Sequence, residues 1–304
     1  MIRLTVIQTF NHPFYAPHYV AAQGGFFARE GLHVETMTAG DGGTMLDWLK
    51  GGRGEIALGG PIRAIKELDG GGSRLICFAE VASGDGFFLL GRYPLPAFTW
   101  ADLRGKSVIL YRDAPTPNLC LRYALVQAGI PVDDVRRIEG LTEAEALAAF
   151  RSGQGDFLIQ IQPTAEALLL AGEAHLATPM VRASGHVPYS AYLTTPRFAE
   201  GHPGIVSAVT TALARAQAWL HAQPPEVIAR TIHPRLPDIP ERLLRASVAR
   251  YLAVGIWGKH PRITELAFRR LEQILASAGY IRAVGAYARL VAPEFAEAVT
   301  VEGD

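Results

Sequence analysis

Lys50-Gly51-Gly52-Arg53-Gly54-Glu55-Ile56-Ala57-Leu58 and Arg151-Ser152-Gly153-Gln154-Gly155-Asp156-Phe157-Leu158-Ile159 follow one pattern. Each ends a helical pattern, turns on glycines and enters a short apolar run. Each then continues into a helix begun by proline, at Pro61 and Pro163. They are rough copies of one αβα unit, which predicts two similar α/β domains. Outward from them the alternation continues, with strands expected at 2–8, 33–38, 55–59, 74–82, 86–92, 106–111, 135–139, 156–161 and 189–195. Ser107-Val108-Ile109-Leu110-Tyr111 and Asp156-Phe157-Leu158-Ile159-Gln160-Ile161 are apolar runs without strict alternation, as in strands covered by helices on both faces. Mostly parallel sheets follow.

Proline marks the helix starts: Pro17, Pro61, Pro117, Pro163, Pro203, Pro225 and Pro240 each precede or open a helical stretch, where a missing N–H costs nothing. Thr142-Glu143-Ala144-Glu145 is a capping-box pattern that opens a helix to about Ser152. From about 203 onward the pattern becomes helical throughout, at 203–222, 225–232, 240–252 and 262–278. Leu213, Ala216 and Leu220, and then Leu266, Leu271 and Ile274, fall on one face of their helices, with Arg270 the exception.

The 304 residues suit two domains, and 49% apolar against 19% charged residues is ample for a core. Lys plus Arg, 29, cancels Asp plus Glu, 29, and no basic block occurs, which argues against nucleic acid as a partner. No apolar run approaches the roughly 18 residues of a membrane span. Met1-Ile2-Arg3-Leu4-Thr5-Val6-Ile7-Gln8 reads at once as a strand, without a secretory pattern or a lipid-accepting cysteine. Cys77 and Cys120 sit alone in apolar stretches and read as small buried hydrophobes. The nine histidines show no metal-ligand spacing, and Gly84-Asp85-Gly86 is too weak a signal for a nucleotide, so no metal and no cofactor are expected.

The stretch His18-Tyr19-Val20-Ala21-Ala22-Gln23-Gly24-Gly25-Phe26-Phe27-Ala28-Arg29-Glu30-Gly31-Leu32-His33-Val34-Glu35 resembles the opening of the type II periplasmic solute-binding family, in its nitrate/sulfonate/taurine and pyrimidine-precursor (NMT1/THI5-like) branch. Asp102-Leu103-Arg104-Gly105-Lys106 before a strand, the Gly-then-acidic strand openings at 54–58 and 155–159, and His202-Pro203 before a helix ending Ala218-Trp219-Leu220 agree with it. The resemblance covers nearly the whole chain. It implies two α/β lobes joined by two hinge crossings, with a helical C-terminal part, closing on a small organic ligand. The hinges would be 86–92 and 188–193, with lobe one at 1–88 plus 193–304 and lobe two at 92–188. It also implies an ABC-transporter permease as partner, a monomer, and a periplasmic location. The absence of a signal in this chain instead fits the cytoplasm if the sequence is complete.

In open α/β sheets, ligands sit beyond the carboxyl ends of the strands. The first such loop offers Phe10, Asn11, His12 and Tyr15, flat apolar walls beside directional hydrogen-bonding groups. Asp41-Gly42-Gly43 opens a helix, where Asp41 is either a ligand contact or an N-cap. Gly59 and Gly60 let a ligand approach the backbone or simply make a tight turn. Ser83 lies just before the first crossing. In the second lobe the counterpart loop is Tyr111-Arg112-Asp113-Ala114-Pro115-Thr116-Pro117-Asn118. Its Arg112 is the carboxylate or sulfonate partner of choice because a guanidinium fork matches those oxygens. Thr116, Asn118, Gln160, Gln162 and Tyr189 complete the candidate set, whereas His186 reads as a loop histidine.

Two relatives of this fold do chemistry, so an enzyme acting on a small aromatic substrate is the alternative to a binder. The pyrimidine-synthase branch uses Lys and His after the third strand, where this chain has Gly59-Gly60-Pro61-Ile62-Arg63-Ala64, and it also uses a cysteine-rich motif that this chain lacks. The frame is also similar to the aromatic sulfinate desulfinase, with Asn11-His12-Pro13 where that enzyme carries an Asn-Cys-Pro-like loop, and Ala57-Leu58-Gly59-Gly60 where it carries Arg-x-Gly-Gly. No catalytic residue is assigned.

Overall fold

Ile2–Gln8 (β1) is rich in β-branched residues, and its last three positions are buried. In the computed structural model, which describes residues 1–112 and 115–299, it lies parallel to Leu32–Thr38 (β2), with Gln8 opposite Thr38. On its other side it lies parallel to Ile56–Gly59 (β3), with Gln8 opposite Leu58. Ile76–Ala82 (β4) completes the strands before the first crossing. The second sheet is built from Phe87–Gly91 (β5), Ser107–Tyr111 (β6), Arg136–Leu141 (β7), Phe157–Ile161 (β8) and His175–Pro179 (β9). Ser190–Thr194 (β10) returns to the first sheet, antiparallel to both β3 and β4.

The two sheets have the same plan. The first runs β2-β1-β3-β10-β4 and the second β7-β6-β8-β5-β9. In each, the fourth position is held by an antiparallel strand, and that strand is the first one formed after the chain crosses over from the other unit. The chain divides into Met1–Gly84 with Val187 onward as one unit and Asp85–His186 as the other. The passages thus fall at 84–85 and 186–187, while most of the two segments expected as hinges is strand, β5 and β10. The paired αβα stretches occupy the third strand position of their sheets, β3 and β8. β9 was not among the expected strands. It is an edge strand bonded only to β5, and its sequence, His175-Leu176-Ala177-Thr178-Pro179, lacks an apolar run.

Helices begin where proline marks them. Pro203 and Pro225 are first residues, Pro61, Pro163 and Pro240 are caps, Pro17 is a second residue, and Pro117 lies in the first turn of Pro115–Gln127. Thr142 and Glu145 form the reciprocal capping box of Glu143–Arg151. The C-terminal helices are Pro203–Ala222, Pro225–Ile232, Glu241–Ala253 and Glu265–Ser277. Leu213, Ala216 and Leu220 are buried as their spacing predicts. Leu266 is 77% exposed instead, because the inward face of its helix is set by Phe268, Leu271 and Leu275. This tail covers the first unit: Pro203–Ala222 packs on Ala16–Gln23, and Val291 bridges Cys77 at the outer edge of β4. Both cysteines are buried and unbridged, and burial pushes the Cys77 thiol up to about 12. Among the described residues no helix is long and apolar enough to cross a membrane.

Candidate ligand-binding loops

Because β1, β2 and β3 end in register, the loops that follow them emerge at one edge of the first sheet. Thr9–Tyr15, Ala39–Gly43 and Gly59–Gly60 all lie there. So do Ser83, just past β4, and Tyr189, just before the antiparallel β10, whose Ser190 pairs with Ala82. The structure therefore gathers eleven of the sequence candidates on one edge of the first unit. In the second unit Arg112, Thr116 and Asn118 follow β6, while Gln160 and Gln162 lie at the end of β8, beside β6. Asp113 and Ala114 of that loop lie outside the described residues.

The first loop is held from behind. The Tyr19 hydroxyl lies 2.8 Å from Gln8 Oε1 and 3.0 Å from Asn11 Oδ1, and it accepts the His12 N–H at 3.1 Å. Gln8 Nε2 donates to Thr38 Oγ1 at 2.8 Å, and Asn11 Nδ2 donates to the Arg235 carbonyl at 2.8 Å, tying the loop to the tail. His12 Nδ1 accepts the Phe14 N–H at 3.2 Å and so caps the turn Pro13–Tyr15. Phe10 stands outward, 38% exposed. Tyr15 is buried, its hydroxyl hydrogen-bonded to the Thr9 and Ser190 side chains, and burial raises its pKa. Phe14 meets the rings of Tyr15, Tyr189 and Tyr251 at 5.8–6.0 Å, and Trp257 Nε1 donates to its carbonyl at 2.9 Å. The aromatic wall expected of this loop is therefore shared with the helical tail.

Asp41 is the N-cap of Gly42–Lys50. Its carboxylate accepts the Gly43 N–H at 2.8 Å, the Thr44 N–H at 3.0 Å and the Thr44 hydroxyl at 2.6 Å, and these bonds, the hydroxyl's first, hold its pKa below the usual carboxylate range. Gly59 is tightly enclosed, since a Cβ there would lie 2.7 Å from both Met45 Sδ and Thr9 Oγ1. A Cβ on Gly60 would lie 3.0 Å from Ile62 Cγ2. Ser83 is buried, and its hydroxyl donates to Glu80 Oε1. Burial pushes that Glu80 carboxyl up to about 7.

In the second unit, Asn118 Nδ2 donates to Glu139 at 2.9 Å and Gln162 Oε1 accepts the Glu166 N–H at 3.0 Å. Gln160 is fully buried, with Oε1 on the Ile161 N–H at 2.7 Å and Nε2 without a partner among the described residues. Arg112 is exposed at the end of β6.

Sequence reasoning passed over several residues that shape this edge. Gln8 is the last residue of β1 and Tyr19 lies in the middle of Ala16–Gln23. His18 is fully buried between the Tyr192 hydroxyl, 2.7 Å from Nδ1, and Thr36 Oγ1, 3.0 Å from Nε2, and burial lowers its pKa to about 3, so the ring is neutral. Arg63 is the second residue of Ile62–Asp69, just past the Gly59-Gly60 turn. It borders a cavity of about 330 Å³ whose lining also includes Gly42, Leu46, Lys66, Glu67 and Tyr280. Among the described residues no three His, Cys, Asp or Glu side chains gather as a metal-ligand set.

Two units of one strand order, each with polar and glycine-bearing loops at the carboxyl ends of its strands, define the α/β fold of the periplasmic binding proteins. A family model described as NMT1/THI5 like matches residues 12–227, and the chain belongs to that family. A curated relative from Bacillus subtilis (strain 168), "Putative binding protein YtlA", is 28% identical over 304 residues, covering 99% of this chain and 91% of that protein. Among solved structures, the periplasmic aliphatic sulphonate binding protein SsuA from Escherichia coli superposes with a TM-score of 0.77 at 20% identity, covering 95% of this chain and 97% of that one. The desulfurization enzyme DSZB does so with a TM-score of 0.66 at 17% identity, covering 98% of each chain.

Proposed function

We propose that this protein is a solute-binding protein that encloses a small organic ligand bearing a sulfonate or carboxylate, or a pyrimidine-like ring, and serves an ABC importer as a monomer. The observation that carries the reading is the repeated plan: both sheets present their candidate loops at the carboxyl edge, so each unit offers one set of contacts. Closure on a ligand follows when the ligand bonds to both sets at once, because only differential affinity shifts a conformational population. Phe10, Asn11, His12 and Tyr189 would contribute from the first unit, and Arg112, Thr116, Asn118 and Gln160 from the second. The aliphatic sulphonate in the name of SsuA and the binding role in the name of YtlA point the same way.

The local chemistry of the first loop supports binding over turnover. Asn11, His12 and Tyr19 are engaged in scaffold hydrogen bonds, and the two cysteines are buried far above the pH range in which a thiolate forms. Titration calorimetry against alkane- and arylsulfonates, taurine, small carboxylates and pyrimidine precursors tests the reading. One member should bind stoichiometrically and, at a hundred times its Kd, stabilise the protein by about 2.7 kcal/mol. No heat and no rise in Tm with any member, or product formed from an aromatic sulfinate by the wild type but not by His12→Ala, would refute it.

A further inference from the structure

Beside Gly42, a cavity of about 330 Å³ opens on the first unit, within the range that holds a small organic molecule. Its charges do not cancel. The Glu67 carboxylate is met by Lys50 Nζ at 3.1 Å and by the Ser73 N–H at 3.3 Å. The neighbouring Asp41 carboxylate is taken up by three donors of its own helix start. Lys66 Nζ donates to the Tyr280 carbonyl at 2.5 Å and stands 5.0 Å from the centre of that ring, with no carboxylate opposite it. The Arg63 guanidinium, half-buried, makes no hydrogen bond or ion pair among the described residues. At longer range it attracts the Asp41 carboxylate. A guanidinium with its N–H donors uncommitted to protein groups can offer them to an anion.

The seat of that guanidinium is built by a missing side chain. A Cβ on Gly42 would lie 1.6 Å from Arg63 Nε and 2.1 Å from Cζ. Gly42 is not among the residues of positive φ, so what glycine supplies there is room for the Arg63 side chain and not a turn. Leu46 and the Tyr280 ring supply apolar wall along the same cavity.

We propose that Arg63 receives the acidic group of a small organic sulfonate or carboxylate, in the cavity that Gly42 leaves open, with the ligand's apolar body lying along Leu46 and Tyr280. This seat is lined by residues of the first unit alone, apart from the contacts proposed above, and rests on the solute-binding reading only for the class of ligand. The fork of a guanidinium offers parallel N–H bonds to two oxygens of either headgroup, and Lys66 adds a second positive charge from the same helix. Arg112 is the sequence candidate for this role in the second unit; Arg63 borders a cavity of the first.

The test is a titration of the full-length protein with methanesulfonate, read at the arginine Nε–Hε resonances by NMR, with Arg63→Lys identifying the Arg63 signal by its loss. The Arg63 signal should shift saturably. In Gly42→Ala, which keeps the charge but displaces the guanidinium, the saturable shift should be lost while the protein stays folded. An Arg63 signal that does not move, or that moves equally in Gly42→Ala, overturns the inference. With a sulfonate or carboxylate of the calorimetry panel that binds, Arg63→Gln should lower the affinity of this cavity by about 10- to 100-fold. If no compound in that panel binds, the solute-binding reading fails by itself, and the methanesulfonate titration still decides Arg63.

Discussion

Replacing Glu80 by glutamine should reshape the pH dependence of stability. Glu80 is fully buried on β4, and burial lifts its carboxyl from the ordinary 4.5 to about 7. Across that window the folded protein keeps a proton that the unfolded chain releases, so stability falls as pH rises from about 4.5 to about 7. At about 1.4 kcal/mol per pH unit the loss is about 3 kcal/mol. His18 acts in the opposite sense. Its folded pKa is about 3 against 6.5 unfolded, so the unfolded chain binds the extra proton and stability rises with pH between those values. The two slopes cancel between about 4.5 and 6.5, and the wild type should be nearly flat there. Glu80→Gln keeps an oxygen for the Ser83 hydroxyl and removes only the falling slope. The stability of the variant relative to wild type should therefore grow by about 3 kcal/mol between pH 4.5 and 7.5. Urea unfolding of both proteins at four pH values in that range measures it. A difference that stays constant within about 0.5 kcal/mol would show that Glu80 is not held protonated, and the reasoning would fail.

Two further substitutions test the packing around the candidate loops and in the second unit. Gly59→Ala should destabilise by about 1–3 kcal/mol in urea unfolding, because its Cβ would overlap Met45 Sδ and Thr9 Oγ1, the groups that fix the start of the first loop. Arg92→Ala should cost about 2–3 kcal/mol, read as an earlier transition of the second unit. It strips donors from the Phe150, Gln154 and Gly155 carbonyls and removes the guanidinium 4.4 Å from the Phe150 ring centre.

The legible part of the fold was local. Apolar runs such as Val108-Ile109-Leu110 announce central strands, and prolines announce helix starts, because both effects act within a few residues. β9 escaped because an edge strand with one bonded neighbour needs no long apolar run. Leu266 misled because one-sided spacing allows more than one helical face, and Phe268 decides which face turns inward. The place of β10 between β3 and β4 was not readable either, since pairing across more than a hundred residues leaves no local trace. The site divides the same way. Strand ends placed the loops, but the roles within them depend on partners distant in sequence. Ser83 turns to Glu80, Asn11 reaches Arg235, and the guanidinium of Arg63 is seated by a glycine twenty-one positions earlier.

The shared plan of the two sheets carries an unequal consequence for folding. Residues 85–186 hold β5 to β9 in one continuous stretch, so every strand of the second sheet has its neighbours within that segment. Residues 1–84 hold β1 to β4, but β4 reaches β3 only through β10, which the chain makes after returning at Val187. Without β10, an apolar strand buried at every position would stand unpaired, and the helix Pro203–Ala222 that covers Ala16–Gln23 would be missing as well. Expressed alone, 85–186 should therefore show a cooperative urea transition and native-like far-UV dichroism. The fragment 1–84 should aggregate, and joining 1–84 to 187–304 through a short flexible linker should restore cooperative folding. A sharp transition from 1–84 alone, or an unfolded 85–186, would mean that the antiparallel fourth strand is not what completes each sheet.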